Sequence, residues 1–239
     1  PFESDFASSI NEKMFSKIKS RAVAASEILA IDRGGAPDMA PKKIRHSHLL
    51  AVAPNASSGI LLSTSPSIEP NKANAYTHRT RAGSFLVKNK YLKEYLETIG
   101  YNTSEVWSNI ITHGGSVQHL PFLDNDVKSV FKTSFELDQN WIIKHAADRQ
   151  KYICQGQSVN LFFPAGADKS AVKDAHINAW EAGLKGLYYL RTEAKVRAEN
   201  VSQKVEENKL KEIKETIIYG KPNCPQCAMA KSLLDSRGI

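Results

Sequence analysis

A Cys-x-x-Cys pair near the C-terminal end is the first combination of side chains in this sequence that indicates chemistry. Cys224 and Cys227 follow a short apolar run and a Gly-Lys-Pro-Asn turn, and they open a predicted helix. A thiol at a helix N-terminus has a lowered pKa, so it attacks disulfides as a thiolate. We therefore predict that this pair is redox-active. The alternative is a zinc site, of which two cysteines would supply only half of the four ligands.

Two adjacent tyrosines, Tyr188 and Tyr189, follow a predicted amphipathic helix. The apolar residues of that helix are spaced three or four apart, which places them on one face. They are Val172, Ala175, Ala179, Trp180, Gly183, Leu184 and Leu187. Glycine lowers helix stability, so Gly183 and Gly186 predict a close approach to a neighbouring backbone. From composition alone, the tyrosines are a buried aromatic pair whose hydroxyls find partners.

A turn of small residues lies between a predicted strand and a predicted helix. Residues 47–53 form a short apolar run that is typical of a buried parallel strand, and residues 60–62 are predicted to be helical. The turn between them consists of Pro54, Asn55, Ala56, Ser57, Ser58 and Gly59. Free backbone N–H groups, the helix dipole and serine hydroxyls at such a turn favour a phosphate group. The alternative is an ordinary capped helix after a strand.

Several other polar residues are assigned structural roles. His113 and His119 flank two glycines, but no acid or cysteine completes a ligand set, so no metal site is predicted. Asp148 and Arg149 are predicted to form a structural ion pair. Cys154 is predicted to be a small buried hydrophobe and chemically inert.

Helices dominate the predicted elements that position these residues. Residues 5–31 are predicted to form one long helix, because apolar residues recur every three or four positions, and this stripe is expected to pack in the core. The stripe consists of Phe6, Ile10, Met14, Ile18, Ala22, Ala25 and Leu29. Further helices are predicted at residues 91–99, 104–112 and 138–154, and a strand at residues 155–161.

The composition of the chain changes after residue 192. Residues 193–215 lack aromatic side chains and carry interspersed Lys, Arg and Glu, which is typical of a solvated helix or a flexible linker. Residues 216–219 are predicted to form a short strand before the Cys-x-x-Cys helix. The sequence therefore predicts a domain at residues 1–192, a charged linker at 193–215 and a second unit at 216–239.

The amino-acid composition is typical of a globular protein. The chain has 239 residues, 41% hydrophobic and 24% charged, which is ordinary for a globular protein. No apolar run approaches the roughly 20 residues that cross a membrane, and the first residues lack the basic and apolar regions of a signal peptide. The cysteine usage predicts a reducing cytoplasm. The net charge of +7 fits anionic ligands, but no nucleic-acid-binding motif is present.

Three segments resemble a known family. Residues 182–192 read Ala-Gly-Leu-Lys-Gly-Leu-Tyr-Tyr-Leu-Arg-Thr, residues 53–58 read Ala-Pro-Asn-Ala-Ser-Ser, and residues 67–70 read Ser-Ile-Glu-Pro. Together they resemble the large subunit of class I ribonucleotide reductases, and the resemblance covers residues 1 to about 192. Shorter matching segments are 1–4, 74–79, 83–87, 146–149 and 157–160. Residues 221–227, Lys-Pro-Asn-Cys-Pro-Gln-Cys, resemble the start of glutaredoxins and of the redoxins that reduce these enzymes.

The resemblance implies a fold and a reaction. The fold is the C-terminal part of a ribonucleotide reductase-type α/β barrel, followed by an incomplete thioredoxin-like β-α unit. The reaction is the radical-based reduction of ribonucleoside diphosphates to deoxyribonucleotides for DNA synthesis. In it, Tyr188 and Tyr189 transfer the radical, Pro54 to Ser58 hold the substrate diphosphate, and Cys224 and Cys227 deliver reducing equivalents.

The resemblance also implies partners. The family's radical cysteine, its active-site disulfide pair and its effector-binding region have no counterpart here, so we expect them upstream or on another polypeptide. Glu69 has the side chain of a catalytic acid, but the family's catalytic carboxylate lies elsewhere, so Glu69 is not assigned that role. No cofactor is expected in this piece, which would depend on a radical from a metal-containing small (β) subunit and on thiol reductant from thioredoxin or glutaredoxin.

Two questions of organisation stay open at this point. The complete large subunit is expected to be a homodimer. The chain does not begin with Met, so we expect it to start inside a longer protein, as either a truncated piece or a naturally split subunit. The alternative function is a redoxin-type thiol-disulfide carrier on a helical scaffold, without nucleotide chemistry.

Overall fold

The computed structural model of the chain describes residues 1–39, 41–80 and 83–193. The chain divides into two units, Pro1–Ala198 and Glu199–Ile239, and all described residues belong to the first. The predicted redoxin-like segment, with Cys224 and Cys227, lies outside the described residues. So does the predicted linker after Glu193.

Within the described residues, most elements are helices, and the strands form two two-stranded sheets. The helices are α1 (Asp5–Arg33), α2 (Ala56–Leu61), α3 (Lys90–Thr98), α4 (Ser104–Thr112), α5 (Asn125–Val130), α6 (Gln139–Gln150) and α7 (Lys169–Glu181). The strands are β1 (Ala75–Thr80), β2 (Gly83–Lys88), β3 (Leu161–Phe163) and β4 (Leu190–Thr192). No helix among the described residues is long and apolar enough to cross a membrane.

Helix α1 confirms the predicted long helix but not its predicted packing. Ser4 caps it by accepting a hydrogen bond from the amide of Ala7, and Gly34 ends it with a φ of 82°. The apolar stripe is largely exposed: Phe6 is 75% exposed and Met14 is 55% exposed. The prediction that the stripe packs in the core is therefore wrong, because α1 faces α6 through its polar side, where Ser8 hydrogen-bonds to Asp148.

Side-chain caps set the limits of the middle helices. Thr103 accepts from the amide of Val106 at the start of α4, and Asp138 accepts from the amide of Asn140 at the start of α6. The helices predicted at residues 91–99 and 104–112 are confirmed. The helix predicted at residues 138–154 is confirmed only as far as Gln150.

The described strands form two small sheets. β1 and β2 pair antiparallel, with Ala75 opposite Lys88. β3 and β4 pair parallel, with Leu161 opposite Leu190. The strand predicted at residues 155–161 is wrong in extent, because regular pairing starts only at Leu161.

The apolar run 47–53 does not form the predicted buried strand. Val52 makes a single parallel bridge with Gln157, supported by the amide of Ser158 donating to the Val52 carbonyl at 2.8 Å. The neighbouring Ala51 and Ala53 are exposed. The predicted parallel direction is correct, but the pairing does not extend into a strand.

The end of α7 also differs from the prediction. The helix ends at Glu181, and Gly183 follows with a φ of 78°. Nothing lies within 4 Å of a Cβ placed on Gly183 or Gly186. The predicted close backbone approach is wrong at both glycines, because Gly183 is required for a left-handed turn rather than for packing.

Two buried apolar clusters hold these elements together. The first joins α6, β3 and α7, and consists of Ile142, Ile143, Ala146, Val159, Leu161, Phe162, Phe163, Ala175 and Ala179. The second lies under the β1–β2 hairpin and helices α3 and α4, and consists of Ala75, Leu92, Leu96, Trp107, Ile110, Val117, Leu120 and Leu123. The first cluster positions β3, along which the tyrosine segment runs.

Candidate functional site

The tyrosine pair lies directly before β4 and is fixed by backbone hydrogen bonds to the chain around β3. The amide of Tyr188 donates to the Val159 carbonyl at 2.7 Å, and the amide of Leu161 donates to the Tyr189 carbonyl at 3.0 Å. These bonds alternate along the two chain segments as in a parallel ladder. The backbone of the pair is therefore anchored to the first apolar cluster.

The side chains of the pair contact each other. The ring centroids are 4.1 Å apart, and the Tyr188 hydroxyl donates to the Tyr189 hydroxyl at 3.4 Å. This hydrogen bond raises the pKa of Tyr188, so the Tyr188 phenol is neutral near pH 7. The rings are 46% and 50% exposed. The alternative of a buried aromatic pair is wrong for this chain.

The basic side chain of Arg191 lies beside the pair, and Lys72 is close enough to Arg191 for the two charges to interact. The guanidinium of Arg191 is 5.0 Å from the ring centroid of Tyr189. Burial lowers the pKa of Lys72, and the nearby charge of Arg191 lowers it further. Positive charge next to a phenol favours its deprotonated form. Arg191 thus opposes the effect of the hydrogen bond on the pKa of Tyr188.

The small-residue turn forms the N-terminal end of α2. The helix begins at Ala56, earlier than predicted, so Ser57 and Ser58 lie in its first turn. All five predicted phosphate-binding residues, Pro54 to Ser58, are exposed. Among the described residues, the amides of Ala56, Ser57 and Ser58 have no acceptor, as is usual in a first helical turn. Such amides can donate to an anion.

The turn is held in place by the segment that follows α2. The amide of Asn55 donates to the Pro66 carbonyl at 2.8 Å. A Cβ on Gly59 would lie 2.8 Å from the Cα of Pro66 and 3.0 Å from the Ser65 carbonyl oxygen. Only glycine allows this contact, so Gly59 fixes the distance between α2 and residues 65–66.

Glu69 connects this segment to the tyrosine segment. Its side chain is 2% exposed, and its carboxylate accepts from the Asn160 amide at 2.7 Å and from Asn160 Nδ2 at 3.0 Å. Its backbone carbonyl accepts from the Ser65 hydroxyl at 2.7 Å. Sequence reasoning noted the Ile-Glu-Pro signature but missed this role. Burial in the middle of a hydrogen-bond network distinguishes Glu69 from an exposed acid.

Arg149 and Asp148 do not form the predicted ion pair. Arg149 Nε donates to Gln157 Oε1 at 2.6 Å, and burial lowers the pKa of Arg149 to about 10, despite the opposing charges of Glu69 and Asp148. Asp148 instead pairs with Lys144 at 3.2 Å. Asp148 bonds to Ser8 and Lys144 and Arg149 bonds to Gln157, so the two neighbours belong to separate hydrogen-bond networks.

Cys154 is not the predicted buried hydrophobe, because its thiol is only half-buried and makes polar contacts, while its predicted inertness stays a prediction. Its Sγ accepts from the amides of Leu49 at 3.0 Å and Leu50 at 3.1 Å. Burial alone would raise the pKa of this thiol, but the two amides stabilise the thiolate and the pKa is lowered. The prediction failed because the donors lie about a hundred residues earlier in the chain.

The two histidines of the glycine-containing loop form a stacked pair. The rings of His113 and His119 are 3.6 Å apart, and each ring also contacts Asn109. No group of three possible metal ligands occurs within residues 1–39, 41–80 and 83–193.

Two family models match different parts of the chain. A family model described as the ribonucleotide reductase barrel domain matches residues 38–190, and a glutaredoxin model matches residues 216–239. The chain is 54% identical over 192 residues to a Frog virus 3 protein whose name describes a ribonucleoside-diphosphate reductase large subunit, covering 80% of this chain and 34% of that protein. It is 47% identical over 206 residues to the ribonucleoside-diphosphate reductase large subunit of Invertebrate iridescent virus 6, covering 84% of this chain and 22% of that protein.

A solved structure is similar as well. The class Id ribonucleotide reductase alpha subunit of Actinobacillus ureae superimposes with a TM-score of 0.75 at 35% sequence identity. The match covers 84% of this chain and 36% of that one. The chain thus spans about a third or less of the length of these relatives.

Proposed function

Because the chain belongs to the ribonucleotide reductase barrel-domain family, we propose that it is part of a ribonucleoside-diphosphate reductase large subunit. In that role it contributes to the radical-based reduction of ribonucleotides to deoxyribonucleotides. The family match and the similar alpha subunit confirm the fold class predicted from the sequence. The observation that carries the proposal is the hydrogen-bonded tyrosine pair directly before β4, anchored by backbone hydrogen bonds to Val159 and Leu161.

In the proposed function, the tyrosine pair passes a radical. A Tyr189 radical takes the hydroxyl hydrogen of Tyr188, so that the O–H bond of Tyr188 breaks, that of Tyr189 forms, and the radical moves by one residue. The reverse transfer returns it. The donor–acceptor hydrogen bond of 3.4 Å and the ring distance of 4.1 Å support this exchange. Positioning of the two partners is the protein's contribution to such a step.

The turn from Pro54 to Ser58 would hold the substrate diphosphate. Its exposed amides and the two serine hydroxyls are donors, and the N-terminal end of a helix favours negative charge. The net charge of +7 is consistent with an anionic substrate.

The remaining roles belong to residues and partners outside the described part of the chain. Cys224 and Cys227 would supply reducing equivalents as a dithiol, joined to the barrel part through the charged linker at residues 193–215. The radical would come from a metal-containing small subunit, and the thiols would be regenerated by a thioredoxin or glutaredoxin system. The complete large subunit would be a cytoplasmic homodimer that includes an upstream part. The barrel-domain match argues against a redox carrier without nucleotide chemistry.

Substitution of either tyrosine by phenylalanine tests the proposal. In a reductase assembled from this chain, the rest of a large subunit and a small subunit, Tyr188→Phe or Tyr189→Phe should abolish turnover. The stability of the chain should change by about 1 kcal/mol or less, because only one exposed hydrogen bond is lost. Tyr91→Phe, which changes an exposed tyrosine of α3, is the matched control and should turn over normally. Turnover near the wild-type rate in either relay variant would contradict the proposal.

A further inference from the structure

We propose that Glu69 and Asn160 are positioning residues that set the tyrosine segment relative to the substrate turn. This inference rests on the proposed function, since the turn and the tyrosines matter together only in a reductase. Neither residue belongs to the proposed phosphate-binding turn from Pro54 to Ser58. They act by fixing the backbone between the two parts of the site.

The first half of the connection runs from Glu69 to the tyrosines. The Glu69 carboxylate accepts from both the amide and the Nδ2 of Asn160. Residues 159 and 161, on either side of Asn160, make the two backbone hydrogen bonds to Tyr188 and Tyr189. The residue that Glu69 holds is therefore the one between the two anchors of the tyrosine pair.

The second half runs from Glu69 to the substrate turn. The Ser65 hydroxyl donates to the Glu69 carbonyl at 2.7 Å. The backbone carbonyl of the next residue, Pro66, accepts a hydrogen bond from the amide of Asn55. The Cα of Pro66 also packs against Gly59. A continuous series of hydrogen bonds and packing contacts thus connects the turn at residues 54–59 to the backbone of the tyrosine pair.

Burial and charge make this connection rigid. Glu69 is 2% exposed and Asn160 is 3% exposed, so water cannot replace the two hydrogen bonds between them without opening the structure. The buried Arg149, which is 3% exposed, is near enough for the charge of Glu69 to oppose the lowering of its pKa by burial. Among the described residues, the Oδ1 of Asn160 has no hydrogen-bond partner. The side chain is therefore oriented by Glu69 alone.

An exchange of the two functional groups tests the pair. In Glu69→Gln, the carboxylate charge is lost, and the new amide nitrogen can bond to Asn160 only after the Asn160 side-chain amide turns to present Oδ1, so the two charge-assisted hydrogen bonds are weakened. In Asn160→Asp, two carboxylates face each other. The double variant Glu69→Gln with Asn160→Asp restores a donor opposite an acceptor and keeps the negative charge near Arg149. It should therefore recover part of what each single variant loses.

Backbone hydrogen exchange in the full 239-residue chain is the first readout, because it requires no activity. The amides of Tyr188 and Leu161 report the pairing of the two segments. Their exchange should be faster by roughly tenfold in each single variant and should slow again in the double variant. Ser26→Ala is the matched control. Ser26 is also buried, at 1% exposed, but its hydroxyl accepts from the amides of Arg45 and His46 rather than from the segments around β3. Unchanged exchange in Glu69→Gln, equal loss in the control, or no recovery in the double variant would overturn the proposal.

Steady-state kinetics of the assembled reductase is the second readout. Glu69→Gln should lower kcat by roughly tenfold while the KM for the nucleoside diphosphate stays within about twofold, since the turn itself keeps its contacts. The double variant should regain part of the kcat. A wild-type assembly without turnover would reject the proposed reductase function. An active assembly in which Glu69→Gln keeps the wild-type kcat would reject the positioning role alone.

Discussion

At the residue scale, His145 shows how a buried titratable group joins distant parts of the chain. It is 3% exposed, its Nε2 donates to the Phe2 carbonyl at 2.8 Å, and its carbonyl accepts from Asn11 Nδ2 at 2.9 Å. Burial lowers the pKa of His145, the hydrogen bond to Phe2 partly opposes this, and the charge of Arg149 lowers it further. The folded chain therefore favours the neutral imidazole.

This lowered pKa predicts a pH dependence of stability. The unfolded histidine titrates near pH 6.5, so the unfolded state takes up a proton before the folded state as the pH falls. The contribution of His145 is fully present above about pH 6.5 and is lost as the pH falls towards its folded pKa. Urea unfolding of the chain at pH 7.5 and 5.5 should show a loss of free energy that is smaller in His145→Gln. An equal loss in both proteins would show that His145 is not the responsible group.

Residue types were easier to predict from the sequence than residue partners. The tyrosine pair, the small-residue turn and the Cys-x-x-Cys pair were all recognisable as local patterns. The network of Glu69 and Asn160 was not, because its members are 91 positions apart in the chain. The prediction that Cys154 is a buried hydrophobe was wrong for the same reason, since its hydrogen-bond donors are the amides of Leu49 and Leu50.

At the element scale, substitutions on the two faces of α1 are expected to differ in their effect on the free energy of unfolding. Met14 lies on the exposed apolar stripe, so Met14→Gln should change the free energy of unfolding by no more than about 0.5 kcal/mol. Ser26 is 1% exposed, and its hydroxyl accepts from the amides of Arg45 at 3.1 Å and His46 at 3.0 Å. Ser26→Ala leaves these amides without that acceptor and should destabilise the chain by about 1–3 kcal/mol. Denaturant titration distinguishes the two. A large loss in Met14→Gln would mean that the stripe is buried after all.

The contact between α2 and the segment after it predicts an effect of Gly59→Ala. The added methyl group would overlap the backbone of Pro66 and Ser65, so the substrate turn must shift. Binding of pyrophosphate to the chain, measured by calorimetry, should weaken, and the free energy of unfolding should fall by about 1–3 kcal/mol. Gly186→Ala is the control, because nothing lies within 4 Å of its added Cβ. Unchanged pyrophosphate binding in Gly59→Ala would remove the turn from the site.

Elements with local signals were predicted well, and those that depend on neighbours were not. Helix α4 was predicted with its correct limits, because Thr103 caps it and its apolar residues are helically spaced. Residues 47–53 have the composition of a strand but find only a one-residue pairing partner. The stripe of α1 has the spacing of a core face, yet spacing cannot show which face the rest of the chain covers.

At the scale of the whole molecule, the chain consists of two units matched by two different family models. The predicted boundaries at residues 192 and 215 stay a prediction. A charged linker would raise the concentration of the Cys-x-x-Cys pair near the barrel part to about millimolar if its length fits the span. The pair could then act on the barrel part without a separate diffusional encounter.

One thiol of the Cys-x-x-Cys pair is predicted to have a lowered pKa. Cys224 lies outermost at the predicted helix N-terminus, where free amides favour a thiolate, so it should be the low-pKa thiol of the pair. Cys154 also has a lowered pKa, so thiol alkylation against pH must be measured in Cys154→Ser to avoid two overlapping titrations. In that variant one thiol should titrate well below an ordinary cysteine, and the signal should vanish when Cys224→Ser is added.

Turnover of the assembled reductase links this titration to function. Cys224→Ser should lose turnover with protein reductants, because the dithiol can no longer form its disulfide while delivering two electrons. A small dithiol such as dithiothreitol, which can reach the barrel part directly, should restore part of the rate. Cys154→Ser is the matched control and should turn over normally with either reductant, since it removes a thiol that has no neighbouring cysteine among the described residues. If Cys224→Ser turns over at the wild-type rate with both reductants, the pair does not relay reducing equivalents.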